Sequence, residues 1–378
     1  MTLPDPDRIC VAVCVDRWYA APLAVTVRSL LEHLDPTASV RLFVLSADLQ
    51  AVDLAYLRAA WAGHPVAAEL VFPPTLDWVS RVRYSGHAGQ PAAYFRLLLG
   101  DLLPADVTRV LYLDSDLLVE RDLAALWATP LRGHTAAAVW HPTMHYVQSH
   151  YGRDACTAFG VPPRCPYFNS GVLLIDLARW RHREVGTRAM RLAERFRHAF
   201  HTHDQCPLNV ALAGDWTPLH PRWNAQSPLW AIPAAAAPYP AGEFQDALTA
   251  PAVVHFTRRE KPWQSACRHP YAPRWRDVAR SVGVRPPLPA PDPQVTRWQA
   301  TAYDLRQRFS DTLSLVRSGV PVRAAWPVFA GRAVRHPVAA AVVLAEWAGR
   351  VLLRACRGGR LTPTRPARDH TAESPEGE

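Results

Sequence analysis

The sequence predicts an α/β fold built on a mostly parallel sheet, and three observations predict it. Short apolar runs fit for buried strands alternate with segments of helical spacing through residues 9–119. At 378 residues, 49% hydrophobic and 20% charged, the chain has the composition of a globular protein and can bury a large core. The apolar run 110–119 is broken by Asp114 and Asp116, placed where a parallel sheet carries its ligand, at the carboxyl end of a strand.

Each element follows in order. ICVAVCV (9–15) reads as a first buried strand; Leu23, Val27, Leu30, Leu31 and Leu34 behind Pro22 then repeat at helical spacing. VRLFVL (40–45) is a second strand, 49–61 a helix and ELVF (69–72) a third strand. Pro91 opens a helix over 91–103. The basic stretch 179–200 reads as one amphipathic helix with a solvated charged face, and 231–244, rich in Pro and Ala, as a surface loop. His141, His145 and His150 fall where a loop over an acceptor is expected.

Charge is uneven. Residues 1–296 carry 29 basic and 26 acidic side chains, whereas 297–368 carry thirteen arginines against Asp304, Asp311 and Glu346, and 369–378 swing to −4. Basicity therefore belongs to the tail, whose 338–357 stretch behind Pro337 reads as a helix with Glu346, Arg350, Arg354 and Arg357 on one stripe. That helix is too charged to span a bilayer but suits an anionic membrane surface, with Trp326, Phe329 and Trp347 at headgroup level; packing on the main domain is the alternative. The amino terminus has no basic region followed by an apolar one, so a cytoplasmic location is expected. Seven cysteines without a C-x-x-C read as reduced thiols.

Two residues apart in an extended segment, Asp114 and Asp116 share a face and can reach one point. Buried and unpaired they would cost several kcal/mol, a problem that a divalent cation removes. Hard oxygen ligands suit manganese or magnesium. Read alone, the pair could also be a turn capping a helix near Asp122. HFTRREKPW (255–263) supplies a histidine that could complete the site and also Lys261, the single lysine beside 41 arginines. A compact ammonium kept in an arginine-rich chain suggests a point-charge clamp on phosphate.

LYLDSDLLV, YFNSGVLLIDLARWR (167–181), HDQCPLNVALAG (203–214) and HFTRREKPW together resemble the family-8 glycosyltransferases over roughly residues 9–265. The resemblance implies a single Rossmann-like nucleotide-sugar domain of GT-A type, placed at 1–289, while the charge pattern adds an arginine-rich helical extension over 290–367 and a disordered tail over 368–378. It implies a metal-dependent, retaining transfer of a hexose, glucose or galactose, from a UDP-sugar to a glycan, lipid-linked or other hydroxyl acceptor, as in lipopolysaccharide or glycan biosynthesis.

By position, Asp114, Asp116 and His255 match the manganese ligands, with Mg2+ also able to serve, and Lys261 matches the diphosphate clamp. Asp16 and Tyr19 match the uracil contacts. Arg96, Ser115, Asn169 and Ser170 match donor-binding residues, and Asp204 and Gln205 the catalytic pair near the anomeric carbon. Arg258 stands where relatives have glycine, and Arg259 beside it is a candidate phosphate contact. No nucleic-acid partner is expected, and the arginine-rich tail points to a peripheral place on the inner face of the membrane, through residues 297–368.

Two other readings stay open at this point. A haloacid-dehalogenase-type phosphatase also uses a strand-end D-x-D, though normally on its first strand. A basic adaptor with an inactive transferase domain would use only the tail, although the intact Asp/Asp/His/Lys set argues against decay.

Overall fold

The computed structural model describes residues 8–73, 76–78, 81–82, 91–151, 153–200, 203–265, 267–284 and 297–356. The expected boundaries at 289/290 and 367/368 and the expected disordered tail lie outside the described residues.

Among the described residues ten strands form two sheets: β1 Arg8–Cys14, β2 Ser39–Leu45, β3 Val66–Val71, β4 Arg109–Leu113, β5 Leu117–Val119, β6 Ala136–Trp140, β7 Phe168–Asp176, β8 Trp216–Pro218, β9 Ala225–Gln226 and β10 Val253–His255. The large sheet runs β3-β2-β1-β4-β7-β6-β8, parallel except for β7, which is antiparallel to both its neighbours. The expected α/β architecture with a mostly parallel sheet is thus present. Alternate residues of β1 face opposite ways. Val11 and Val13 join one core with the helix Ala20–Glu32, and Ala12 and Cys14 join a second core with Phe95, Trp180 and Ala189.

Three features aim the site. Strand β4 ends with Leu113 opposite Val172 of β7, so Asp114 leaves the strand beside Gly171 and its N–H donates to the Gly171 carbonyl at 2.8 Å. Strand β7 changes register against β6, pairing Leu173 with Ala138 but Asn169 with Val139. The unpaired stretch contains Ser170 and Gly171, a bulge of the kind that re-aims side chains beside active sites. The small sheet β5-β10-β9 then brings the strand end carrying His255 opposite Leu117, next to Asp116.

Several local expectations change. Residues 91–102 form a 3-10 helix, Pro91–Leu98, followed by one α-turn, Leu99–Leu102, rather than a single α-helix. The basic stretch is two helices, Leu177–His182 and Val185–Arg195, divided at Glu184, whose φ of 50° lies in the left-handed region and breaks the helical path. The stretch expected as a loop over 231–244 contains the 3-10 turn Ala234–Ala236 and the start of a helix, Ala241–Thr249.

The tail is helical: Arg297–Arg317, Val322–Ala325, Pro327–Ala333 and Pro337–Cys356. It packs on the body, where Leu315, Ala325 and Val328 share a core with Leu229, Ile232 and Phe244. Phe329 is 1% exposed, with its ring 5.2 Å from that of Phe309, so it belongs to the packing of the extension and is not free for a headgroup. Trp326 and Trp347 do face outward. Arg350, Arg354 and Arg357 lie outside the described side chains. Among the described residues no helix is long and apolar enough to cross a membrane, and the six described cysteines are free thiols.

Candidate active site

The D-x-D turn is held from below. Thr26, on the helix Ala20–Glu32, donates its hydroxyl to the carbonyls of Ser115 (3.0 Å) and Leu117 (2.9 Å) and accepts the Leu117 N–H. Ser115 is buried and Asp114 and Asp116 flank it. Neither aspartate caps the short helix Ala124–Trp127; Asp122 does, accepting the Ala124 N–H at 2.9 Å.

Each aspartate has one oxygen occupied and one oxygen turned inward. Asp114 Oδ1 accepts from Tyr112 Oη and pairs with Arg96, both at 2.8 Å. Asp116 Oδ2 pairs with Lys261 Nζ at 2.6 Å. The other oxygens, Asp114 Oδ2 and Asp116 Oδ1, lie 3.5 and 3.3 Å from His255 Nε2. The opposite ring nitrogen, Nδ1, is 2.9 Å from Asn224 Oδ1, and Asn224 Nδ2 donates to Asn169 Oδ1 at 2.8 Å. Asn224 therefore presents its carbonyl to the imidazole, Nδ1 carries the proton, and the Nε2 lone pair points at two carboxylate oxygens.

An acceptor facing two acceptors in a buried site calls for a cation between them. These three ligand atoms lie within 4.8 Å of one another. Two hard oxygens and one imidazole nitrogen, with the imidazole oriented by a second residue, fit a divalent metal such as manganese or magnesium.

Gly171 makes the close approach possible. A Cβ at that position would stand 2.2 Å from His255 Cε1 and 2.7 Å from Asp114 Oδ2. No other residue leaves that space clear.

Behind the aspartates Arg96, 6% exposed, binds Asp114 and, through Nε, Asp204 at 2.8 Å; it also donates to the Ser170 carbonyl and hydroxyl and lies over the Tyr112 ring. Burial works against its charge, but Asp114 and Asp204 outweigh it and hold its pKa above the usual guanidinium value. The same balance operates at Asp116. Burial favours its neutral form, yet the Lys261 ammonium holds the carboxyl below the usual carboxylate range. Lys261 also donates to the Phe256 carbonyl.

Asp204 accepts from the Ser170 hydroxyl at 3.3 Å. Gln205 is buried, with Oε1 accepting from Asn169 Nδ2 (3.0 Å) and the Ser170 N–H (3.1 Å) and Nε2 donating to Tyr167 Oη.

The structure thus joins Arg96, Asp114, Asp116, Asn169, Ser170, Asp204, Gln205, His255 and Lys261 in one hydrogen-bonded cluster. Asp16 and Tyr19 follow β1 at the same end of the sheet and bond to one another, Tyr19 N–H donating to Asp16 Oδ1 at 3.0 Å. Tyr19 meets Trp263 edge-on at 5.6 Å, two residues past Lys261. Burial pushes the Asp16 carboxyl up to about 6. Arg259, expected near phosphate, instead lies over the Tyr303 ring of the extension at 5.1 Å.

The histidine-bearing loop is also covered. His141 Nδ1 accepts the Thr143 and Met144 N–H groups, and buried His145 donates its backbone N–H to Ser318 Oγ at 3.2 Å. Thr26, Tyr112, Tyr167, Gly171 and Asn224 are site residues that sequence reasoning did not single out. Tyr112, Tyr167 and Gly171 stood inside quoted motifs, whereas Thr26 and Asn224 did not.

Known proteins are similar to this arrangement. A family profile described as Glycosyl transferase family 8 matches residues 10–267. General stress protein A of Bacillus subtilis (strain 168) is 29% identical over 265 residues, 69% of this chain and 89% of that protein. Probable galacturonosyltransferase-like 3 of Arabidopsis thaliana is 31% identical over 230 residues, 58% of this chain and 66% of that protein. Among solved structures, the galactosyltransferase LgtC in complex with donor and acceptor sugar analogs matches with a TM-score of 0.64 and 25% identity, covering 74% of this chain and 98% of LgtC.

Proposed function

The chain belongs to glycosyl transferase family 8 and is a glycosyltransferase, and on that premise we propose that it moves a hexose, glucose or galactose, from a UDP-sugar to a glycan or lipid-linked hydroxyl with retention of configuration. One observation carries the reading: the inward oxygens of Asp114 and Asp116 converge with an oriented His255 Nε2 beside Lys261.

Breaking the bond between a sugar and a nucleoside diphosphate builds negative charge on the leaving oxygen. A divalent cation held by Asp114, Asp116 and His255 would supply Lewis-acid stabilisation of that charge. Lys261 adds a buried ammonium, whose pKa is raised because Asp116 and Tyr19 outweigh burial. In this reading Asp16 and Tyr19 would take the uracil, and Arg96, Ser115, Asn169 and Ser170 would line the donor sugar. Gln205 is a poor nucleophile, and its amide is already fixed by Asn169 and Ser170, which favours front-face attack with Asp204 and Gln205 positioning the sugar. LgtC, solved with donor and acceptor sugar analogs, is a galactosyltransferase, in keeping with a hexose donor.

We place the protein in the cytoplasm on an anionic membrane face, docked by the extension, where Val334 and Val338 are exposed with Trp326 and Trp347. The test is release of UDP from UDP-glucose and UDP-galactose with and without manganese. Asp116→Asn is expected to abolish manganese-stimulated release; because it also takes the carboxylate from Lys261, thermal unfolding in chelator is measured beside it to confirm a folded chain. Undiminished release by that variant at saturating manganese would overturn the reading.

A further inference from the structure

The loop joining His255 to Lys261 has two faces. On one, His255 and Lys261 meet Asp114 and Asp116. On the other, Arg258 and Arg259 meet the helix Arg297–Arg317 of the extension. Arg258 pairs with Asp311 at 3.0 Å, and Asp311 is 4% exposed. The second carboxylate oxygen of Asp311 accepts from Thr143 Oγ1 and from Gln307 Nε2, each at 3.3 Å. One buried carboxylate therefore fastens the loop after β10 and the loop after β6 to the extension. Asp311 lies outside residues 10–267, the span shared with the family.

A buried charge pair is a weak source of net stability, because desolvation offsets much of the attraction, but it is specific about geometry. A salt bridge with two added hydrogen bonds allows one arrangement of its loop, whereas an apolar plug tolerates several. What the loop carries is sensitive to placement, since an error of about 1 Å in a catalytic group costs on the order of a hundredfold. Ser149 Oγ, in the short helix Val147–Tyr151 that follows, and Ser318 Oγ, one residue past the end of Arg297–Arg317, lie 2.7 Å apart and add a second tie.

We propose that Arg258 and Asp311 are positioning residues for the donor site: their ion pair sets the loop from which His255 and Lys261 reach the two aspartates. The helical extension is then a working part of nucleotide binding and not only an appendage. This rests on the reading of Asp114, Asp116, His255 and Lys261 as the site for the donor diphosphate.

The experiment measures UDP affinity by calorimetry in manganese, together with donor KM and kcat, for the full chain and for Asp311→Asn, Arg258→Gln, Arg258→Lys and the Asp311→Asn/Arg258→Gln double variant. Wild-type binding of UDP is read first, because its absence would overturn the proposed function itself. Given wild-type binding, each charge-removing single variant is expected to weaken UDP by about tenfold or more, with donor KM rising in step and one site per chain retained. A merely structural role would lower the active fraction and leave affinity unchanged. Arg258→Lys, which keeps the charge, is expected within about threefold of wild type, and the double variant is expected to bind better than either single one, because no buried charge is left unpaired. UDP affinity within about twofold of wild type in a folded Asp311→Asn or Arg258→Gln variant would overturn the proposal. If neither single variant folds, the double variant decides, and wild-type affinity there would overturn it equally.

Discussion

Gly171→Ala adds one methyl group at the centre of the site. The backbone of Gly171 is not in the left-handed region, so alanine brings no conformational strain, and the effect is purely steric. The new Cβ would lie 2.2 Å from His255 Cε1. Carbon atoms rest about 3.5 Å apart, so the overlap is about 1.3 Å. The imidazole has little room to retreat: His255 is 3% exposed, its Nδ1 is tied to Asn224, and its backbone is paired on both sides in the small sheet. Asp114 Oδ2, 2.7 Å from the same Cβ, is displaced the other way.

The methyl therefore separates two of the three metal ligands by about 1 Å. A shift of that size costs on the order of a hundredfold in kcat/KM, about 2.7 kcal/mol of transition-state stabilisation. Overpacking adds about 1–3 kcal/mol of lost stability, which a large domain can bear. The assay is manganese-stimulated UDP release, paired with thermal unfolding in chelator to confirm a folded chain. Turnover within about threefold of wild type would refute the steric reasoning, and with it the claim that His255 and Asp114 act at one point.

Lys261→Arg keeps the charge but replaces an ammonium lodged between Asp116 and the Phe256 carbonyl with a planar fork, and is expected to cost at least about tenfold in rate, roughly 1.4 kcal/mol; wild-type kinetics would make the solitary lysine an accident of composition. Gln205→Ala removes partners from Asn169, Ser170 and Tyr167 and is expected to lower kcat by more than it weakens UDP, so equal losses would reassign Gln205 to donor binding. Asp16, held up to about 6 by burial, binds its proton more tightly folded than unfolded, so it costs stability as pH rises from about 4 to 6 and fully above that window. Asp16→Asn is thus expected to raise Tm at pH 7.5 but not at pH 4, and equal shifts at both would refute the burial argument. The full-length protein is expected to bind anionic vesicles in a salt-sensitive manner, and indifference to such vesicles at low salt would remove the membrane from the proposed function.

What the sequence reveals depends on how local the cause is. Strands β1, β2 and β4 were legible because burial on both faces demands an unbroken apolar run. The candidate ligand set was legible because Asp114, Asp116 and His255 carry the donor atoms that suit a divalent cation and lie inside compact motifs. Asn224 was not, since it orients His255 from 31 residues away and no local pattern marks it. Tyr112 looked like core strand filler, which its ring is, while its hydroxyl serves Asp114. The 3-10 path of Pro91–Leu98 and the break at Glu184 escaped because apolar spacing reports which face is buried and not how tightly the backbone winds. Arg258 and Asp311 are 53 residues apart, one in a motif and one in a tail that read as a separate module, so their pairing had no sequence signal at all.

The charge of the extension gains meaning from where its acids are. It has three described carboxylates, and each is already held: Asp304 by Arg308 (3.0 Å) and Arg332 (3.2 Å), Asp311 by Arg258, and Glu346 by Arg306 at 2.6 Å. Two arginines share Asp304, and the partner of Asp311 comes from the body, so the acids fix the internal geometry of the extension and its docking without neutralising the thirteen arginines of 297–368. The described surface of the extension also carries Val334 at 81% exposure and Val338 at 70%, with Trp326 and Trp347 turned outward. Cationic excess next to exposed apolar and indole side chains is the combination that an anionic lipid surface rewards twice, through its phosphates and through its acyl boundary. Arg258 is reached by Asp311 of another helix of the extension, Arg297–Arg317, so the extension that would touch the membrane through its later helices would hold the donor-site loop through this one.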